Sequence, residues 1–193
     1  MSSKNFFAVV LVFILCSVFF FVFYNYSETT AVLEEPVLNF TCIEKTESKI
    51  VRGNSLTGIV ENGQAVKIHL GYYGCNGVKR EDIVVYNYSG SENLLIKVVK
   101  GLPQDNFSLQ KTGAEWNLVI NAGIVKNSES IPYILNEQVY AMLSLYMDDY
   151  GGIIPENTYL ILGNIAEGSL DSTHFGLIDR EDISGKAMLL DDI

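Results

Sequence analysis

Between Phe6 and Phe23 the chain is unbroken apolar sequence apart from Cys16 and Ser17. As a helix this run rises about 27 Å at 1.5 Å per residue, close to the roughly 30 Å hydrocarbon core of a bilayer. Tyr24 and Tyr26 follow it, where amphipathic rings favour the membrane interface. A cleaved secretory signal has a shorter apolar core, of about 7–15 residues, and small residues before the cut. Here the run ends in Phe21-Val22-Phe23-Tyr24, bulky where a cleavage site needs Ala-like side chains. The expectation is a retained transmembrane helix within an anchor over 1–26. Lys4 is the only charged side chain ahead of the run, and no basic cluster follows it. That bias puts the N-terminus inside and the rest of the chain outside.

The sequence of 193 residues then has room for one ordinary domain. Residues 27–48 read as a stalk, with Glu34-Glu35-Pro36 as a polar break. From residue 49 to 193 the text is mostly β. Short β-branched runs stand between turn residues at Ala65–Leu70, Asp82–Tyr86, Asn93–Val99, Trp116–Ile120 and Thr158–Gly163. Leu38–Cys42 is a further candidate strand. Asn136–Tyr150 differs: Val139, Met142, Leu143 and Tyr146 recur at the spacing of one helix face. The predicted fold is therefore mostly β, an anchor helix followed by twisted antiparallel sheet with one inserted helix. The net charge is -10, with 23 acidic against 13 basic residues, a balance that repels phosphate backbones and argues against nucleic acid. His69 and His174 stand far from each other and in no ligand spacing with a cysteine, so no metal site is expected and no cofactor is called for. Cys42 and Cys75 fall in the outer part, where a disulfide and two buried thiols are both open readings.

Lys97 stands in Leu94-Leu95-Ile96-Lys97-Val98-Val99, and on a strand its same-face neighbours are Leu95 and Val99. A lysine so flanked is either desolvated, and so poised to act as a base, or stationed at a sheet edge as a gatekeeper. Ser55, after Gly53-Asn54, reads locally as a turn serine, and Ser169-Leu170-Asp171-Ser172 as a polar turn.

Three stretches in order, Val51-Arg52-Gly53-Asn54-Ser55-Leu56, Ile96–Asp105 with its Gly101-Leu102-Pro103-Gln104-Asp105, and Gly163–Ser172 running on to Ile183-Ser184-Gly185-Lys186-Ala187, stand behind one hydrophobic segment. In that order they resemble the type I signal peptidases, membrane-bound serine proteases with a Ser/Lys dyad. The resemblance covers roughly Lys49 to Met188 and implies Ser55 as nucleophile and Lys97 as general base. Ser169 and Asp171 match the positions that orient the lysine, with Ser169 bonded directly to its amine. Val51, Leu56, Leu95 and Ile96 match positions lining shallow pockets for small residues before the cut. By the same resemblance the substrates are signal peptides of exported preproteins, cleaved after Ala-x-Ala-like residues at the outer face of the cell membrane. Membrane lipid and the secretion translocon are the implied surroundings. A specialised processing peptidase for a pilin or conjugation component, or an inactive homologue that binds without cleaving, fits the same layout. The second β-domain of larger members is expected to be reduced here, within Gln110–Pro155. The chain departs from the family pattern in several places. Leu56 and Gly58 stand for Met and Pro, Gly53 for a hydroxyl that some members use as second oxyanion donor, and Asn164 for Asp in Gly-Asp-Asn. Ala166 replaces an arginine, Glu81 the glycine of Arg-Gly-Asp, and Gln104 another glycine. Lys100, at the far end of the lysine run, is expected to be a solvated charge.

Overall fold

The computed structural model describes residues 39–88 and 94–190. The anchor expected over 1–26 lies outside them. Among the described residues no helix is long and apolar enough to cross a membrane.

The β-branched runs become strands because they alternate and are bounded by turn chemistry. β1 (Lys45–Ile50), β2 (Ala65–Leu70), β3 (Ile83–Tyr86) and β4 (Leu95–Gly101) precede a second group: β5 (Phe107–Thr112), β6 (Glu115–Ile120), β7 (Gly123–Ile124) and β8 (Ile134–Leu135). Helix α1 (Glu137–Asp149), β9 (Thr158–Leu162), the single turn α2 (Ser172–Phe175), β10 (Ile178–Asp179) and β11 (Ile183–Leu189) complete the chain. Seven strands form one sheet in the order β1-β2-β11-β3-β4-β9-β10, every pair antiparallel. At Gly185 the β11–β3 register shifts, and a Cβ there would lie 2.5 Å from His69 O, so the close approach requires glycine. The region expected to hold a reduced second domain forms a separate four-stranded sheet, with β5, β7 and β8 all paired to β6.

Each sheet has its own core. Val51, Leu56, Val60, Val66, Ile68, Val85, Val98 and Ala187 pack under the Ser55 turn. Phe107, Trp116, Leu118, Ile120, Leu135 and Leu143 pack between the small sheet, α1 and the β9 residues Leu160 and Leu162. Helix α1 starts where Asn136 caps it, its side chain accepting from Val139 N at 3.0 Å. The helical spacing read from Val139, Met142, Leu143 and Tyr146 is the face that meets this core.

Two local expectations are corrected. Asn39–Cys42 is a turn rather than a strand, because Asn39 Oδ1 accepts from Thr41 N at 3.0 Å and from the Thr41 hydroxyl at 2.6 Å. Sheet pairing begins within the segment read as stalk, since Lys45–Ser48 pair with Leu70–Lys67. A Cys42–Cys75 disulfide, with Cα atoms 5.8 Å apart, ties this entry to the turn after β2.

Candidate active site

Ser55 sits in a turn within the connection 51–64 between β1 and β2. Gly53 takes φ +94°, a conformation open to glycine, and the turn closes with Thr57 N donating to Asn54 O at 3.1 Å and Val60 N to Leu56 O at 2.9 Å. Leu56, 1% exposed, nails the turn into the core and leaves the Ser55 side chain at the surface of a groove. Among the described residues the Ser55 N–H has no acceptor.

Lys97 enters the same place from β4. Its backbone pairs with Val84, its side chain is 3% exposed, and Nζ lies 2.9 Å from Ser55 Oγ and 3.0 Å from Ile96 O. Burial pushes this amine below the ordinary lysine range, against the opposing pull of the Asp171 charge. The desolvated reading of Lys97 therefore prevails over the edge gatekeeper.

Ser55, Lys97, Val51, Leu56, Leu95 and Ile96 all line one groove of about 730 Å³. Val51 and Leu56 also belong to the core, so lining and packing are a single role for them. The groove runs between two unpaired main-chain edges. Among the described residues β1 pairs only with β2, and β4 meets β9 only from Val98 onward, leaving Leu95–Lys97 without a pair on that side.

Ser169 and Asp171 lie behind the groove. Asp171 is 1% exposed and accepts from Gly163 N at 2.8 Å, Ser169 Oγ at 2.6 Å, Thr173 N at 2.9 Å and Thr173 Oγ1 at 2.7 Å. The expected direct bond from Ser169 to Lys97 is replaced: the Ser169 hydroxyl donates to the Asp171 carboxylate, a stronger acceptor than an amine. The two regions still touch, because a Cβ on Gly163 would come within 2.7 Å of Ser55 O and overlap the Ser169 hydroxyl. Gly163 is thus the hinge of contact between the loop and the Ser55 turn.

Other motif residues turn out to hold the frame. Asp105 accepts from Arg80, from Leu102 N at 2.6 Å and from Asn121 Nδ2 at 2.6 Å, closing the Gly-Leu-Pro-x-Asp turn. Asp82 joins Lys186 Nζ at 2.6 Å and the Tyr73 hydroxyl at 3.0 Å. Glu81 and Gln104 stand at φ +66° and +69°, which explains why the family pattern has glycine at both. Lys100 is not a solvated charge: it is 5% exposed and donates to both Glu81 oxygens, at 2.8 and 3.0 Å.

Sequence reading passed over Tyr133, Asn127 and Ser128. The Tyr133 hydroxyl donates to Gly163 O at 2.5 Å, and burial raises its phenol above the ordinary range, keeping it a donor. The loop bearing Asn127 and Ser128 meets Asn164 through three hydrogen bonds. Asn127 also reads as an ordinary turn residue, its Oδ1 accepting from Glu129 N and Ile131 N, and the partners that matter here are at least 30 positions away.

Comparison with known proteins supplies the family. The family model described as "Signal peptidase, peptidase S26" matches residues 2–190. Signal peptidase IB of Staphylococcus aureus (strain COL) is 26% identical over 144 residues, covering 70% of this chain and 72% of that protein. Signal peptidase I of Bacillus caldolyticus is 25% identical over 140 residues, covering 71% and 74%. A crystal structure of a signal peptidase I from Enterococcus faecalis matches 57% of this chain and 97% of its own, at 20% identity and a TM-score of 0.36, too low to compare sheet with sheet. On the family match, the chain belongs to the signal peptidase family, peptidase S26, and is an enzyme of the signal peptidase I type.

Proposed function

We propose that the chain is a membrane-anchored serine endopeptidase that removes signal peptides from exported preproteins, with Ser55 as nucleophile and Lys97 as general base. One observation carries this reading: a nearly inaccessible lysine amine, lowered by burial, 2.9 Å from an accessible serine hydroxyl. In its neutral form the amine accepts the Ser55 proton as Oγ attacks the scissile carbonyl. The oxyanion that forms has the free Ser55 N–H beside it, a donor of the kind typically worth a few kcal/mol. The protonated Lys97 then gives its proton to the departing amine, and water, deprotonated by the same lysine, releases the acyl group from Ser55.

The substrate enters extended, as a strand between the open edges of β1 and β4, where main-chain bonds hold it whatever its side chains are. Val51, Leu56, Leu95 and Ile96 close the groove beneath it and favour small residues before the cut. Ile50 and Leu94 flank the same groove at 59% and 43% exposed, apolar rims suited to lipid. The anchor over 1–26 holds the peptidase domain, 49–193, at the outer membrane face near emerging preproteins and the translocon.

Incubating the purified chain with a preprotein, beside Ser55→Ala and Lys97→Ala, tests this. Cleavage after a small residue by the unmutated protein, lost in both variants, is the expected result. The kcat/KM profile should rise with pH as Lys97 deprotonates; an acid limb near pH 6.5, the ordinary histidine value, would assign the base to His69 or His174 instead.

A further inference from the structure

Asn164 stands two residues past the end of β9 and is 3% exposed. Its backbone N–H donates to Ser55 O at 2.6 Å. Its side-chain Nδ2 donates to Thr57 O and to Ser128 Oγ, both at 2.7 Å, while Oδ1 accepts from Ser128 N at 2.9 Å. Its own carbonyl accepts from Asn127 Nδ2 at 3.1 Å. The amide can face only one way, because Thr57 O can only accept and Ser128 N can only donate. This one residue therefore bonds the backbone on both sides of Leu56 and joins it to a loop of the small sheet. Gly58 belongs to the same contact, since a Cβ there would sit 3.1 Å from Asn164 Nδ2 and 3.3 Å from Ser128 Oγ.

We propose that Asn164 is a positioning residue for the nucleophile: through Ser55 O and Thr57 O it sets where Ser55 Oγ stands against Lys97, with Ser128 as its brace. The inference rests on Ser55 being the nucleophile. The amide is essential to it. A carboxylate of the same shape keeps the acceptor for Ser128 N but places an anionic oxygen against the Thr57 carbonyl, and the turn must back away. The Asp of the family's Gly-Asp-Asn therefore cannot make the contact that Asn164 makes here. Proton transfer across a 2.9 Å contact does not survive a shift of about 1 Å without loss of rate.

The test uses the full chain in detergent micelles, a preprotein substrate, and active-site titration with an activated ester so that kcat is expressed per acylatable Ser55. Asn164→Asp should lower kcat per site about 10–100-fold with KM within about twofold of the unmutated value. Asn164→Ala should do the same, and Ser128→Ala should lower kcat about threefold. If Asn164→Asp loses titratable sites or melts earlier while kcat per remaining site is unchanged, the residue is merely structural and the proposal is overturned. Should Asn164→Asp not fold, Ser128→Ala decides: reduced kcat at constant KM supports the brace, and unmutated kcat overturns it. Ser55→Ala separates this inference from the reading beneath it. Cleavage by Ser55→Ala overturns both, whereas an inert Ser55→Ala beside a fully active Asn164→Asp overturns the inference alone.

Discussion

Strand β4 carries two buried lysines with opposite fates. At its start Lys97, 3% exposed, has a serine hydroxyl and a carbonyl as partners. At its end Lys100, 5% exposed, donates to both oxygens of Glu81. Burial is the same; company is not. An amine taken out of water without a carboxylate at contact distance loses part of its hold on the proton, and this is the condition a lysine base needs. The acid nearest in effect to Lys97 is Asp171, whose oxygens are already occupied by Gly163, Ser169 and Thr173. The same carboxylate thus stiffens the loop behind the site, and its pull on the Lys97 proton is outweighed by burial.

The contrast breaks most sharply in the rates. Lys97→Ala and Lys97→Arg should each lower kcat/KM by at least about 1,000-fold, the arginine because it does not deprotonate, whereas Lys100→Met should stay within about threefold. A Lys100→Met variant as inert as Lys97→Ala, measured on folded protein, would abolish the distinction. Next in size is the support behind the base. Ser169→Ala should slow cleavage about tenfold, because it removes one of the two donors to Asp171 Oδ2 rather than unseating Lys97 directly. Asp171→Asn should instead cost about 1–3 kcal/mol of stability, read from urea unfolding, since an amide cannot satisfy four donors. Smaller still, Glu81→Ala leaves Lys100 buried without its acid and should cost about 1–2 kcal/mol. Adding Lys100→Met to it should recover most of that loss.

The smallest effect sharpens the comparison by pH. The folded-state value of Lys97 lies below its unfolded value, so the unfolded chain binds more protons between the two. Lys97 therefore weakens the fold below its folded value, and the penalty fades as pH rises toward about 10.4. Relative to Lys97→Met, the unmutated protein should gain stability with rising pH across that window. A flat difference in unfolding midpoint would mean that Lys97 is ordinary in the folded state.

Strand positions were legible wherever short β-branched runs met turn residues: Ala65–Leu70 became β2 unaltered, and Asn136–Tyr150 became α1 with both end residues as caps. Phe107–Thr112 escaped notice because its pattern is polar and half exposed, and it is a strand only by pairing with β6. Lys45–Ile50 is likewise almost wholly exposed, and its pairing with β2 defines it. Within the site, an ordered set of motifs singled out Ser55 and Lys97, which the fold brings to 2.9 Å of each other. Tyr133 and Ser128 were not, since each is an ordinary residue whose role lies entirely in a distant partner.

By itself the sequence determined an apolar run fit to span a bilayer, a mostly β chain with one helix, and a serine and a lysine in the company of a known motif set. Local periodicity and residue chemistry suffice for that. Only the tertiary structure decided which lysine of β4 keeps an acid, and that Ser169 turns to Asp171 instead of Lys97. It alone joined Cys42 to Cys75 and made Asn164 the tie between the Ser55 turn and the small sheet. Those outcomes depend on desolvation and on hydrogen-bond partners brought together from far along the chain. No window of sequence contains them.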